Sequence, residues 1–141
     1  MIKLRNIELS FNGKIVFSNL SADLPVEGTT VFRGVSGAGK TTLFRLLLGL
    51  QKPDAGTITG MNFQEPAVVF QEDRLLPWAN ALENAALGSD KESAERALTA
   101  LGLRDNLYQL PRELSGGMRR RVAIARALSY GGDALFLDEP F

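Results

Sequence analysis

Polar and apolar positions alternate over residues 2–9, IKLRNIEL, closely enough to predict a strand. Asn12-Gly13 then reads as a hairpin turn, with residues 14–20 as the returning strand. Residues 29–33 are a short β-branched run that predicts a buried strand, and a glycine-rich loop follows it directly. After the loop, TTLFRLLLGL has the spacing of a helix closed by Gly49. Pro53-Asp54-Ala55-Gly56 predicts a turn. AVVF, residues 67–70, predicts a second buried strand, and residues 72–78 a loop with Pro77 as breaker. From residue 79 to 108 the texture turns helical. Ala94, Ala97, Leu98 and Leu101 share one face there, and Gly102 is the stop. LSGG at 114–117 opens a further helix with Ser115 as its N-cap. ALFL, residues 134–137, predicts a third buried strand, ended by Asp138-Glu139-Pro140. Strands that alternate with helices predict an α/β fold with a mainly parallel sheet. No internal repeat and no low-complexity segment interrupts this order.

Composition narrows the chemistry. With 141 residues and 45% hydrophobic residues, the chain has the size and apolar content of one ordinary packed domain. Sixteen basic residues balance sixteen acidic ones, so no global charge calls for nucleic acid or an anionic membrane as partner. There is no cysteine and no histidine. That excludes disulfides, thiolate metal sites, zinc sites and histidine-based dyads, and leaves only a hard cation held by oxygen. No apolar core of a signal peptide follows the first residues, and the most apolar run, 43–50, is too short to span a bilayer. A cytoplasmic protein is the expectation.

Within that frame three short stretches carry chemistry. GVSGAGKTT, residues 34–42, holds three glycines and a single lysine. Gly34, four intervening residues and then Gly39-Lys40-Thr41 fit a phosphate-binding loop between a strand and a helix. Polyphosphate oxygens are held by converging backbone N–H groups, so side chains must stay clear, and the helix N-terminus adds donors and dipole. Lys40 supplies one mobile charge to the β- and γ-phosphates, and the Thr41 hydroxyl is suited to Mg²⁺. ALFLDE, residues 134–139, delivers Asp138 at the tip of an apolar strand, where an acidic partner holds Mg²⁺ through water. Glu139 beside it is placed to orient or deprotonate an attacking water. LSGGM, residues 114–118, puts Ser115, Gly116 and Gly117 at a second helix start, another anion site. Each stretch also has a plain structural reading: a turn, a strand end, an N-cap. Arg119, Arg120, Arg121 and Arg126 read as a solvated helix face, because no aromatics interleave them.

Together these motifs make the sequence resemble the nucleotide-binding subunit of ATP-binding cassette (ABC) transporters. GVSGAGKT resembles the family's Walker A motif, AVVFQ its Q-loop through Gln71, LSGGM its signature motif and ALFLDEP its Walker B motif with the catalytic glutamate. Phe11 sits where the family has an aromatic that stacks on adenine. The resemblance implies a P-loop NTPase fold: an ABC cassette with an N-terminal antiparallel β-subdomain and a helical subdomain. The division it implies is a nucleotide-binding core and β-subdomain over 1–78, a helical subdomain over 79–118, and the signature helix and Walker B strand over 119–141. It implies ATP and Mg²⁺ as cofactors, with the nucleotide contacted by Phe11, Gly34, Ser36, Gly37, Ala38, Gly39, Lys40, Thr41, Thr42, Ser115, Gly116 and Gly117. Thr41, Gln71 and Asp138 would serve the metal, and Glu139, Lys40 and Gln71 the hydrolysis.

In the family two cassettes dimerise head to tail, so Ser115, Gly116 and Gly117 would meet the γ-phosphate held by the partner cassette's own phosphate loop. The implied partners are a second cassette, transmembrane permease subunits and, indirectly, a solute-binding protein, at the cytoplasmic face of the membrane and without nucleic acid. QEDRLLPW, residues 71–78, and GGMRRRVAIARAL are similar to the importer branch for nitrate, sulfonates and taurine. Leu75, Leu76, Pro77 and Trp78 would suit a docking groove for a permease helix.

The sequence departs from the family pattern in several places. It ends two residues after Glu139, and the family's switch histidine has no counterpart. The family's strand between the Walker A and Walker B strands is also absent, which leaves a gap beside the phosphate-loop strand. Each unpaired buried backbone group costs about 1–3 kcal/mol, against a whole-domain stability of about 5–15 kcal/mol. The expectation is the N-terminal part of a longer cassette that hydrolyses little by itself. Arg33 stands where an apolar residue is commoner, Arg120 where many signature helices carry glutamine, and the segment 60–66 is short. Two competing readings stay open: a truncated chain that binds nucleotide without turnover, and a soluble ABC ATPase acting on DNA or ribosomes. The short distance from Gln71 to Ser115 leaves no room for the long coiled coil of chromosome-maintenance relatives.

Overall fold

The computed structural model describes residues 1–139. The chain divides into two compact units, Met1–Asn62 and a second that begins at Phe63.

The first unit carries a three-stranded antiparallel sheet. Its strands are β1 (Ile2–Phe11), β2 (Lys14–Leu24) and β3 (Ala55–Thr59), in the order β2-β1-β3. Alternation along β1 buries Ile2, Leu4, Ile7 and Leu9 and exposes Lys3, Arg5 and Glu8. Leu4 and Ile7 are three residues apart, which in a regular strand would place them on opposite faces. The register shifts between them, and Asn6 takes a left-handed backbone at φ 49°. This bulge returns Ile7 to the buried face. The Asn6 N–H leaves the ladder and donates to Ser21 Oγ at 2.9 Å. Opposite the bulge, Gly56 sits at φ 92°, where a Cβ would lie 2.4 Å from the Asn6 carbonyl oxygen. Only glycine fits there.

The turn expected at Pro53–Gly56 is therefore shorter than the sequence suggests, because Ala55 and Gly56 already belong to β3. Asp54 closes it: its carboxylate accepts from the Ser10 N–H at 2.7 Å, and its own N–H donates to the Glu8 carbonyl at 2.8 Å. The hydrophobic pattern does not announce β3, whose residues are mostly exposed. Helix α1 (Lys40–Leu47) ends as expected near Gly49 and buries Leu46 and Leu47.

The buried strand expected over residues 29–33 is not formed. The segment has no regular structure, and Val31 is 69% exposed. A β-branched run favours extended backbone, but a strand exists only where a neighbour pairs its N–H and C=O groups. All pairing in this unit's sheet is among β1, β2 and β3.

The second unit packs helices α2 (Ala81–Ala85), α3 (Lys91–Ala100) and α4 (Gly116–Tyr130) with a two-stranded parallel sheet of β4 (Pro66–Val69) and β5 (Ala134–Leu137). Parallel pairing is thus confined, among the described residues, to β4 and β5, while the larger sheet is antiparallel. The helical face read from the sequence is real: Ala94 and Leu98 are buried with Leu82, Leu103, Leu114 and Val122. Helix α4 serves two cores at once. Val122 and Ala125 face the other helices, while Ala123 and Ala127 pack on Ala67 and Val69 of β4. Small alanines let the helix approach on both sides. β5 is less buried than expected, with Leu135 45% exposed, because β4 alone pairs with it among the described residues. No helix among the described residues is long and apolar enough to cross a membrane.

Candidate functional site

The phosphate-loop residues belong to the first unit. Gly39 is the N-cap of α1 at φ 89°, and a Cβ there would meet Val16 Cγ1 at 2.9 Å and the Phe17 ring at 3.0 Å. Glycine is required on both counts, strain and space. Gly34, Val35, Ser36, Gly37 and Ala38 form the exposed loop before it, with Gly37 at φ 79° and the Ala38 N–H donating to the Val35 carbonyl at 3.2 Å. Lys40 opens the helix, and its Nζ folds back on the loop, donating to the carbonyls of Gly34 at 2.8 Å and Val35 at 2.9 Å. The ammonium is thereby held over the mouth of the loop by neutral acceptors, which an anionic phosphate would outcompete. Thr41 and Thr42 follow in the first turn, and no side chain caps this helix end. Phe32 approaches the loop and stacks edge-on against Phe44 of α1, centroids 5.8 Å apart. Phe11 ends β1 beside the hairpin and is 42% exposed, so its ring is open to a ligand.

The remaining residues singled out by sequence belong to the second unit. The β4–β5 ladder runs one step past Leu137, with the Asp138 N–H donating to the Val69 carbonyl at 2.9 Å. Asp138 is 5% exposed at that strand tip. Glu139 follows in a left-handed backbone, φ 47°, which is uncommon for a residue with a side chain. Its Oε2 accepts from Gln71 Nε2 at 3.2 Å, so two of the three expected catalytic side chains are in contact. The Thr41 hydroxyl, the Gln71 amide and the Asp138 carboxylate are hard oxygen donors of the kind Mg²⁺ takes. Among the described residues no cluster of three or more acidic side chains would hold a cation alone. Oxygen donors of these kinds suit an ion whose other ligands are phosphate and water.

Ser115 is the N-cap of α4, and its Oγ accepts from the Met118 N–H at 3.2 Å. Gly116 and Gly117 are exposed, with no acidic residue in the first turn, so the helix end presents donors and open space.

Three residues that pattern reading did not single out as site builders organise this unit. Asn84 is fully buried. Its Oδ1 accepts from the Leu76 N–H at 2.7 Å, and its Nδ2 donates to the carbonyls of Leu76, Ala79 and Asn80 at 3.1, 2.8 and 3.1 Å. It thus fixes the Leu-Leu-Pro-Trp loop, leaving Trp78 75% exposed. Arg126 donates to the carbonyls of Asp73 and Arg74, both at 2.9 Å, and burial pushes its guanidinium below the ordinary arginine range. Arg120 donates to the backbone at both strand tips. The arginines expected on a solvated face are therefore partly structural; a helix wheel does not show which side chains will meet a loop folded back on them. One signal was available for α2: Asn80 and Glu83 form a reciprocal capping box, readable as Asn-x-x-Glu.

Comparison with known proteins identifies the family. The family model described as ABC transporter matches residues 17–141. The chain is 43% identical to the aliphatic sulfonates import ATP-binding protein SsuB 3 of Paraburkholderia xenovorans, over 99% of this chain and 58% of that protein. It is 40% identical to the taurine import ATP-binding protein TauB of Pseudomonas aeruginosa, over 96% of this chain and 59% of that protein. The chain therefore spans somewhat more than half the length of these curated relatives. Among solved structures, it superposes with a TM-score of 0.84 and 26% identity on a dimeric ATP-binding cassette in a post-hydrolysis state bound to ADP and Pi. That match covers 99% of this chain and 74% of the other.

Proposed function

This chain belongs to the ABC transporter family, and from that premise we propose that it is the nucleotide-binding part of an importer's ATP-binding subunit, taking up a sulfonate- or taurine-like solute. The observation that carries the reading is the phosphate loop itself: Gly39 in a conformation only glycine tolerates, with Lys40 held over the loop by two carbonyls. The two import relatives, both of small sulfonated solutes, support the choice of branch.

In this reading Phe11 stacks on the adenine, and the loop from Gly34 to Thr42 wraps the phosphates. Lys40 exchanges its carbonyls for the β- and γ-phosphates. Thr41, Gln71 and Asp138 would hold Mg²⁺, which would neutralise charge on the phosphate oxygens. Glu139 accepts a proton from the attacking water as the bond between the γ-phosphorus and the bridging oxygen breaks, with ADP as leaving group. Gln71, in contact with Glu139, links this chemistry to the 71–78 segment, which faces the permease. Ser115, Gly116 and Gly117 serve the nucleotide of a second cassette across a head-to-tail dimer. The division into a core over 1–78, a helical part over 79–118 and the signature helix and Walker B strand beyond belongs to the same proposal.

The test uses the full-length protein that carries this chain, with its permease. Lys40→Ala weakens binding of a fluorescent ATP analogue tenfold or more, whereas Glu139→Gln keeps binding and loses hydrolysis. Cells lacking the protein lose uptake of labelled taurine or alkanesulfonates. Absence of nucleotide binding by the unmodified protein overturns the ATPase reading, and uptake that persists for every sulfonate overturns the solute class.

A further inference from the structure

Arg120 gathers four backbone carbonyls from the C-terminal tips of the two parallel strands of one small sheet. Its Nη2 donates to the carbonyls of Asp138 and Glu139, each at 2.7 Å, beyond the tip of β5. Its Nη1 donates to the carbonyl of Phe70 and, at 3.4 Å, to that of Gln71, beyond the tip of β4. Nη1 also lies 3.4 Å from Asp73 Oδ1, and the side chain is only 14% exposed. β4 and β5 are parallel neighbours whose ladder runs as far as the bond from Asp138 N–H to the Val69 carbonyl. Past that bond the guanidinium bridges the two backbones in place of a ladder. A planar fork with five donors can do this, whereas a single ammonium cannot reach both strand ends at once.

The bridged residues are those that carry the paired side chains: Gln71 on one strand tip and Glu139 on the other, in contact at 3.2 Å. Glu139 is also the residue in a left-handed backbone, a conformation that persists only where the surroundings hold it. Charge-assisted bonds to its own carbonyl and to that of Asp138 hold it from both sides. Arg126, six residues further along α4, touches the same loop but bonds the carbonyls of Asp73 and Arg74, so it steadies the loop without reaching β5.

We propose that Arg120 is a positioning residue that sets the spacing of Gln71 and Glu139 by bridging the tips of β4 and β5; its effect on turnover rests on the hydrolysis reading above. Placement errors of about 1 Å at a reacting pair cost up to about a hundredfold in rate, whereas nucleotide affinity, set mainly by the phosphate loop, does not depend on that spacing. Loss of the bridge therefore lowers kcat and leaves KM for ATP in place.

The experiment has two independent readouts in the full-length protein, made free of other cysteines. Spin labels at E72C, just past β4, and at L135C, within β5, report how the segment after β4 is held against β5. The distribution is narrow with Arg120 present and broadens in R120M, while R126M, which leaves the β5 end bridged, broadens it less. Steady-state ATP hydrolysis falls about tenfold or more in R120M with KM within twofold, and R120K does not restore it. R120Q keeps two amide donors, carries the same readouts with a smaller loss, and replaces R120M if that variant does not fold. An unchanged distance distribution, kcat within twofold of the unmodified protein, or full recovery by R120K overturns the proposal. Failure of the unmodified protein to hydrolyse ATP overturns the hydrolysis reading instead, and the distance distribution then decides whether Arg120 bridges the strands.

Discussion

Replacing Asn84 by alanine removes one side chain and leaves the 75–80 loop to find new partners. Asn84 is fully buried and makes four hydrogen bonds to that loop's backbone. Not all four losses count. The Leu76 carbonyl still accepts from the Ala79 N–H at 3.2 Å, and the Asn80 carbonyl from the Asn84 N–H at 2.9 Å. Two groups lose their bond outright: the Leu76 N–H, bonded at 2.7 Å, and the Ala79 carbonyl, bonded at 2.8 Å in a buried setting. An unsatisfied buried polar group costs about 1–3 kcal/mol. With water able to reach part of the loop, the two together cost about 3 kcal/mol, a large share of a stability of about 5–15 kcal/mol. The assay is urea unfolding followed by Trp78, the one tryptophan of this chain, which sits inside the affected loop. N84A is expected to lower the unfolding free energy by about 3 kcal/mol and to shift the native Trp78 emission. A loss below about 1 kcal/mol with unchanged emission would refute the reasoning, since the loop would then be held by packing or water rather than by Asn84.

Two further outcomes follow from local geometry. Gly39→Ala puts a Cβ 2.9 Å from Val16 Cγ1 at φ 89°. Nucleotide affinity is expected to fall more than tenfold and the melting temperature by several degrees, both read in one titrated thermal melt. Ser115→Ala removes the acceptor for the Met118 N–H and costs about 1 kcal/mol in urea unfolding, whereas Ser115→Asp keeps the cap and restores stability. If the hydroxyl also meets a partner cassette's phosphate, S115D still fails to restore hydrolysis, because its charge repels the phosphate.

How much of this was legible beforehand depends on the range of the interaction. The hairpin at Asn12-Gly13, the stop at Gly49, the N-cap at Ser115 and the buried face of α3 are set by residues within a few positions of one another, so their signals lie in short windows. The same holds for the order of the three motifs, from which nucleotide chemistry could be inferred without coordinates. β3 and the 29–33 segment went the other way. Each depends on whether another strand lies alongside: β3 has one in β1 although its own pattern is polar, and 29–33 has none among the described residues although its run is β-branched.

The side chains that organise the site were decided only by tertiary structure. Arg120 meets carbonyls fifty and eighteen positions away, and Arg126 meets others more than fifty away. On a helix wheel both are ordinary basic residues, and neutral net charge made a solvated face the natural expectation. What turned them inward are the carbonyls just past β4, and for Arg120 also those past β5, which no strand pairs among the described residues. Backbone acceptors carry no signature in the amino-acid sequence, because every residue has one. A residue recognised by its own chemistry, as Lys40 is in its glycine loop, can be found from sequence. A residue such as Arg120, recognised by whose carbonyls it reaches, waits for the fold.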